Sequence, residues 1–237
     1  MSDGPRVSVV IPVHDEEESL EQLHAELCEV LKPLEGGAEI VLVDDGSRDG
    51  SLAKMRQLAA RDPRVRLVVL DGNHGQTAAL DAGFRAVRGE VTVTLDADLQ
   101  NDPADIPRLL AQLERADVVN GVRVERNDSP IRKLSSRIGN GFRNWMTGEN
   151  VTDVGCSLRA MRTSYLRRVK LFRGMHRFLP TLLRMEGATV IEIPVSHRLR
   201  RFGRSKYGIA NRLFVGLADV LAVRWMQRRA LRYQVKE

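Results

Sequence analysis

Asp96-Ala97-Asp98 puts two carboxylates at the end of an apolar run, Val91 to Leu95. Two acids this close repel each other and are costly unless a cation neutralises them. Oxygen ligands of this kind suit Mg2+ or Mn2+, completed by waters and substrate phosphates. Gln100 adds a neutral oxygen two residues on. The competing reading makes Asp98 to Asp102 a solvated turn that caps the next helix. A second acidic pair, Asp44-Asp45, ends the run Glu39-Ile-Val-Leu-Val and leads into Gly46-Ser47. A carboxylate there can accept from a base N–H or a ribose hydroxyl; the alternative is that Asp45 or Ser47 caps the following helix. A third acidic group, Asp15-Glu16, follows the run Val7 to Val13.

The elements that must carry these acids are legible. Val7–Val13 has the β-branched character of a buried parallel strand. The acids Asp15 to Glu18 suit the first turn of a helix reaching about Lys32, which Pro33 and Gly36-Gly37 end. Strands follow at Glu39–Asp44, Val65–Leu70, Val91–Leu95 and Asp117–Gly121, with helices at Ser51–Arg61, Gln76–Val87 and from Pro103 or Ile106. Short strands alternating with helices predict a mostly parallel sheet with helices on both faces. Ligands of such sheets sit beyond the carboxyl ends of the strands, where all three acidic groups fall. Beyond residue 122 the pattern predicts a helix pair over 123–150, a loop and strand over 151–159, a strand at Val190–Val195, a basic loop over 198–207 and an amphipathic helix over 208–232.

Composition narrows the classes. The 237 residues, 43% hydrophobic and 29% charged, describe a soluble globular chain. Cys28 and Cys156 have no paired spacing, so neither a disulfide scaffold nor a zinc cluster is expected. His74, His176 and His197 stand at no ligand spacing, Cys156 is expected in a packed position, and Trp145 and Trp225 are expected in the core or at an interface. The N-terminus has no signal-peptide character, and no stretch reaches the ~20 apolar residues of a membrane span. Neither a dinucleotide fingerprint nor a P-loop occurs. The net charge of +6 is uneven: residues 198–237 carry a net +9 and the first 197 a net −3. Such a segment calls for an anionic partner.

The acidic sets resemble those of the family 2 glycosyltransferases, and the resemblance covers nearly the whole chain. The segments that carry it are Val9 to Leu20, Val43 to Ser51, Asn73 to Gly83, Asp96 to Pro103, Asp153 to Arg162 and Arg201 to Gly208, in the family's order. The last three are similar to the branch that includes dolichyl-phosphate mannosyltransferase and bacterial polyprenyl-phosphate sugar transferases. His14 and Asp15 replace the family's usual Tyr and Asn. The resemblance implies a GT-A fold that binds a nucleotide-diphosphate sugar, with a catalytic domain over residues 1–207 and the basic helix over 208–237. The nucleotide-sugar half would span about 1–122 and the acceptor half about 123–207. Pro12, Asp15, Glu16 and Asp44 would line the nucleoside pocket, with Asp45 and Ala97 on the donor side. Asp96, Asp98 and Gln100 would hold the metal and diphosphate.

A polyprenyl phosphate acceptor, with a second pKa of about 6, is mostly dianionic at neutral pH and is its own nucleophile. It needs neutralisation as it nears a diphosphate, and Arg201, Arg204 and Lys206 suit that task. Arg123 would contact either phosphate, and Asp153 would orient the acceptor or act as a base. The expected activity is inverting transfer of a sugar to polyprenyl phosphate at the cytoplasmic face of a membrane, with peripheral attachment or a membrane-protein partner. The rivals are a same-fold transferase using a hydroxyl acceptor, which needs a carboxylate base, a nucleotidyltransferase, for which a basic Gly-rich loop is missing, and a non-enzymatic basic module that binds a membrane. Nucleic acid is not an expected partner, because no basic face is rich in aromatics.

Overall fold

The computed structural model describes residues 4–124, 130–199 and 210–231, with backbone alone for 130–138 and 210–215. Strand β1, Val7–Val13, leads into helix α1, Glu17–Leu31. Then come β2 (Ala38–Asp44), α2 (Ser51–Arg61), β3 (Val65–Val69), α3 (Gln76–Ala86) and β4 (Val91–Thr94). A short 3-10 turn at Pro103–Asp105 opens α4 (Ile106–Gln112), followed by β5 (Val118–Arg123) and α5 (Pro130–Thr147). The chain closes with β6 (Arg159–Arg162), α6 (Thr163–Leu166), α7 (Leu179–Met185), β7 (Val190–Val195) and α8 (Ala210–Arg229). The helix pair expected over 123–150 is, over its described part, one helix. Its Gly139 and Gly141 have no neighbour within reach of a Cβ, so neither marks a close approach, and neither stops the helix.

The seven strands form one sheet in the order β3-β2-β1-β4-β6-β5-β7. All neighbours are parallel except β6, which runs against both β4 and β5. Alternation along β1 feeds two cores. Val9, Ile11 and Val13 face the layer of α1, α2 and α4 with Leu20, Leu27, Leu58 and Leu109. Val10 faces the layer of α3 and α7 with Leu80, Phe84 and Leu179. Both faces are covered, which is why these strands read as continuous apolar runs. Gly83 permits the close seating of α3: a Cβ there would lie 2.4 Å from Val10 Cγ1.

A smaller cluster joins Met175, Phe178 and Leu182 to Val220 and Val223 of α8. The C-terminal helix thus packs on the body through Val220 and Val223. Not every apolar side chain of this helix turns to the body: Leu217 and Leu221 remain 42% and 50% exposed. Trp145 and Trp225, expected in the core or at an interface, are not in the core: they are 77% and 64% exposed, each on the outer side of its helix. Cys156 is buried as expected.

Two features of the topology build the site. The order reverses between β1 and β4, because β2 and β3 extend one way and the later strands the other; such a switch point opens a crevice at the carboxyl ends of the strands. The antiparallel course of β6 pairs its first residue, Arg159, with Thr94 at the end of β4. The loop that precedes β6 therefore falls on that same edge.

Candidate functional site

At the end of β1 the chain turns sharply, with Asp15 at φ +51°. A non-glycine residue in that region costs energy and persists only where its surroundings hold it. Here the loop after β2 does so: the Asp15 N–H donates to Ser47 Oγ at 3.1 Å and the Glu16 N–H to Ser51 Oγ at 2.8 Å. In return the Arg48 N–H donates to Asp15 Oδ1 at 2.7 Å. The half-buried Pro12 lies two residues before this turn, in register with Val43.

Asp44 is buried and accepts from the Ser47 N–H at 3.3 Å. Asp45 has a different task. Its carboxylate takes the His74 N–H at 2.7 Å and the Gly75 N–H at 2.9 Å, fixing the turn that starts α3. Neither Asp45 nor Ser47 caps α2; the Ser51 N–H is taken by Asp49 at 2.9 Å.

Gln76, the first residue of α3, donates from Nε2 to Asp96 Oδ1 at 2.8 Å. Burial, and then the charge of Asp98, push the Asp96 carboxyl up to about 6, while Ser157, Arg159 and Arg123 pull the other way. Ala97 and Asp98 are buried, and the Gln100 N–H donates to Asp98 Oδ1 at 3.1 Å across Leu99, which sits at φ +60°. The capping expected of the turn Asp98 to Asp102 is supplied by its last residue, Asp102, which accepts from the Ala104 N–H at 2.9 Å. Asp98 therefore has a strained, fixed turn but no helix to cap. Half-buried Asp96, holding its proton more firmly than usual, and buried Asp98 form a donor set that fits a hard divalent cation.

Cations stand behind these acids. Arg123, the last residue of β5, forms a two-point ion pair with Asp153, Nε to Oδ2 at 2.7 Å and Nη2 to Oδ1 at 2.9 Å. Asp153 also accepts from the Gly155 N–H at 3.1 Å. Arg159 is buried, bonded from Nε to Asn120 Oδ1 at 2.7 Å and from Nη2 to the Val154 carbonyl at 3.1 Å. Burial lowers its pKa, and the nearby Asp96 and Asp153 charges raise it. Gln76 and Arg159 were not singled out from the sequence; an arginine inside the apolar stretch Leu158 to Met161 was the available signal for the second.

The described residues up to Leu199 come back to this edge. His197 pairs with Asn101 in an antiparallel bridge, and the Arg198 N–H donates to the Gln100 carbonyl at 2.7 Å. Arg198 is anchored by Glu26 and Asp102, each at 2.7 Å. Arg201, Arg204 and Lys206 lie outside the described residues. The structure thus brings Asp15, Glu16, Asp44, Asp96, Asp98, Gln100, Arg123 and Asp153 to one edge of the sheet.

The profile of the family described as Glycosyl transferase family 2 matches residues 8–170. An undecaprenyl-phosphate 4-deoxy-4-formamido-L-arabinose transferase of Edwardsiella ictaluri is 42% identical over 205 residues, 86% of this chain and 63% of that protein. A dodecaprenyl-phosphate galacturonate synthase of Rhizobium johnstonii is 38% identical over 228 residues, 94% of this chain and 67% of its own. The chain thus spans under two thirds of the length of the first of these curated relatives. Among solved structures, glucosyl-3-phosphoglycerate synthase from Mycobacterium tuberculosis, in complex with Mn2+, UDP and glucosyl-3-phosphoglycerate, superposes with a TM-score of 0.68. It is 18% identical, over 97% of this chain and 82% of that one, a likeness of fold.

Proposed function

The chain belongs to glycosyl transferase family 2 and has its GT-A fold, and from that premise we propose that it transfers a sugar from a nucleotide diphosphate to a polyprenyl phosphate, with inversion. The observation that carries the reading is the meeting of Asp44, Asp96 and Asp98 with the paired Arg123 and Asp153 at one sheet edge, to which residues 197–199 return. The relatives named for undecaprenyl and dodecaprenyl phosphates support the acceptor class.

In this reading Pro12, Asp15, Glu16 and Asp44 line the nucleoside pocket, and Asp45 shapes it by holding the turn at 73–75. Asp96, Asp98 and Gln100 would hold Mg2+ or Mn2+, whose chemistry there is charge stabilisation of the departing nucleoside diphosphate. The acceptor phosphate oxygen attacks the anomeric carbon as the bond from that carbon to the diphosphate oxygen breaks. The electron pair leaves with the nucleotide, and a dianionic nucleophile needs no base. Arg123 faces the phosphates as a fixed cation, and Asp153 keeps its guanidinium oriented. Positioning and charge supply most of the acceleration. A hydroxyl acceptor would need a carboxylate base, and Asp153 is poorly suited to it, because both its oxygens already accept from Arg123.

The lipid substrate implies a membrane surface, on its cytoplasmic side. No helix among the described residues is long and apolar enough to cross a membrane. The exposed Leu217, Leu221 and Trp225 follow one another at helical spacing on α8, near the exposed Arg228 and Arg229, and suit contact with anionic lipid.

The test is radiolabel transfer from a panel of GDP- and UDP-sugars to a short polyprenyl phosphate, with Mn2+ or Mg2+, in wild type and Asp98→Ala. Metal-dependent labelling of the lipid, lost in Asp98→Ala while the fold persists by circular dichroism, is expected. Labelling of a hydroxyl acceptor but not of the lipid, or full turnover in Asp98→Ala, would refute the reading.

A further inference from the structure

A second cluster of ligating side chains lies far from these acids in the topology. Helices α1 and α2 start at the carboxyl edge of the sheet and run back, so their last turns cover the opposite edge. There His24 and Cys28, four residues apart, share one face of α1, and Asp62 follows the last residue of α2. His24 Nε2 lies 2.9 Å from Asp62 Oδ2, Cys28 Sγ lies 3.5 Å from Asp62 Oδ2, and Cys28 Sγ lies 3.5 Å from His24 Nε2. Zinc bond lengths of about 2.0–2.1 Å to nitrogen or oxygen and about 2.3 Å to sulfur put tetrahedral ligand atoms about 3.3–3.6 Å apart. The three atoms already form nearly one face of such a tetrahedron.

We propose that His24, Cys28 and Asp62 form a zinc site, separate from the sugar-transfer reading, with a fourth position open to water. One imidazole, one thiolate and one carboxylate are a mixed donor set that favours zinc over the hard Mg2+ or Mn2+. The surroundings are arranged as an outer shell. Arg64 holds Asp62 Oδ1 from its backbone N–H at 2.9 Å and from Nε at 3.0 Å, which leaves Oδ2 turned to His24 and Cys28. Arg64 Nη2 sits 2.8 Å from Asp62 Oδ2 and 3.0 Å from Cys28 Sγ, so the cluster already attracts one positive charge. Zinc would displace that one nitrogen while the two bonds to Oδ1 persist.

Burial raises the Cys28 pKa, so the metal-free thiol carries its proton. On binding, the zinc–sulfur bond replaces the S–H bond and that proton leaves to solvent; His24, whose Nε2–H faces Asp62 Oδ2 in the metal-free chain, moves its ring proton to Nδ1 and offers the Nε2 lone pair to the metal. The half-buried Cys28 and His24 leave an entry path. The bound ion would clip α1 to the turn between α2 and β3.

The test uses the metal-free full chain with Zn2+ and with Co2+ as a spectroscopic probe. One ion per chain is expected, with a thiolate-to-cobalt charge-transfer band and release of a proton. Binding should fall at least tenfold in Cys28→Ser and in His24→Gln, and persist in Asp98→Ala, which separates it from the donor site. Thiol labelling gives a second readout that needs no variant. Cys156 is buried, so a maleimide reads Cys28, and equimolar Zn2+ should block it. A cobalt complex without the thiolate band, or zinc that leaves Cys28 labelling unchanged, would overturn the site.

Discussion

Arg123 and Asp153 are locked together in a buried two-point ion pair, with both carboxylate oxygens on the guanidinium and side chains only 15% and 4% exposed. Arg123 ends β5 and Asp153 belongs to the loop that the reversed β6 returns to the same edge, so the pair depends on one antiparallel strand in an otherwise parallel sheet. Its charge reaches Asp96, where Arg123 is among the groups that oppose the effect of burial.

Asp153 is therefore expected to act as a positioning residue. Breaking a buried pair by removing one partner costs about 3–5 kcal/mol, so Asp153→Ala should destabilise the fold severely. Asp153→Asn keeps one acceptor for Arg123 and should fold. Its kcat should fall at least tenfold, with the shape of the pH–rate profile unchanged. A profile that loses its acidic limb in Asp153→Asn would instead make Asp153 a general base.

The basic segment sets out beside the acids, because the bridge between Asn101 and His197 fixes the last described stretch before it. Lys206 is seven residues beyond Leu199, so its reach is bounded at about 25 Å of extended chain. Arg201→Ala combined with Lys206→Ala should raise the KM for polyprenyl phosphate at least tenfold, with nucleotide affinity unchanged in calorimetry. Equal losses on both sides would assign these residues to the donor.

Much of this arrangement was legible in the residues, for reasons that differ by element. β1 and β2 are covered on both faces, so Val9 to Val13 and Ile40 to Val43 advertise burial by composition alone. The helix after Gly50 is bounded by Arg61 as its spacing predicts. Long-range pairing was not legible. Asp45 looks like a cap in sequence, yet its partners His74 and Gly75 are about thirty residues away. Arg159 looks like a surface charge until β6 threads it between β4 and β5. His24 and Cys28 stand at ligand spacing, but their partner Asp62 lies beyond a strand and a second helix.

The outer side of α8 yields a prediction about partition. Trp225 is 64% exposed, and Trp145 on α5 is 77% exposed with Phe142 beside it, the ring centroids 6.1 Å apart. Trp145→Ser combined with Trp225→Ser removes apolar area without touching Val220 or Val223, which hold α8 to the body. Partitioning into anionic vesicles should fall at least about tenfold. Sedimentation with vesicles decides it, and unchanged binding would leave α8 a packing element only.

His176 should make the fold acid-sensitive. Its Nδ1 lies 2.6 Å from Thr77 Oγ1, which also accepts the Gly174 N–H at 3.0 Å, so the threonine hydroxyl donates to a neutral imidazole. Burial, then the charges of Arg177 and Arg159, push its pKa from 6.5 down to about 3. Between those values the unfolded chain binds a proton that the folded chain does not, so stability is full above the unfolded pKa and drains as pH falls. The slope is at most about 1.4 kcal/mol per pH unit. Asp96 works in the opposite direction: its folded pKa is raised from 3.8 to about 6, so the folded carboxyl gains its proton first and stability rises as pH falls through that window. The wild-type curve alone therefore conceals the histidine. The readout is the difference in unfolding free energy between wild type and His176→Asn in metal-free buffer, where Asn offers an acceptor near the Nδ1 position and cannot titrate. That difference should shrink steadily from about pH 6.5 towards pH 3. A constant difference across this range would mean that His176 titrates alike in the folded and unfolded chains, and that the bond with Thr77 does not keep the ring neutral.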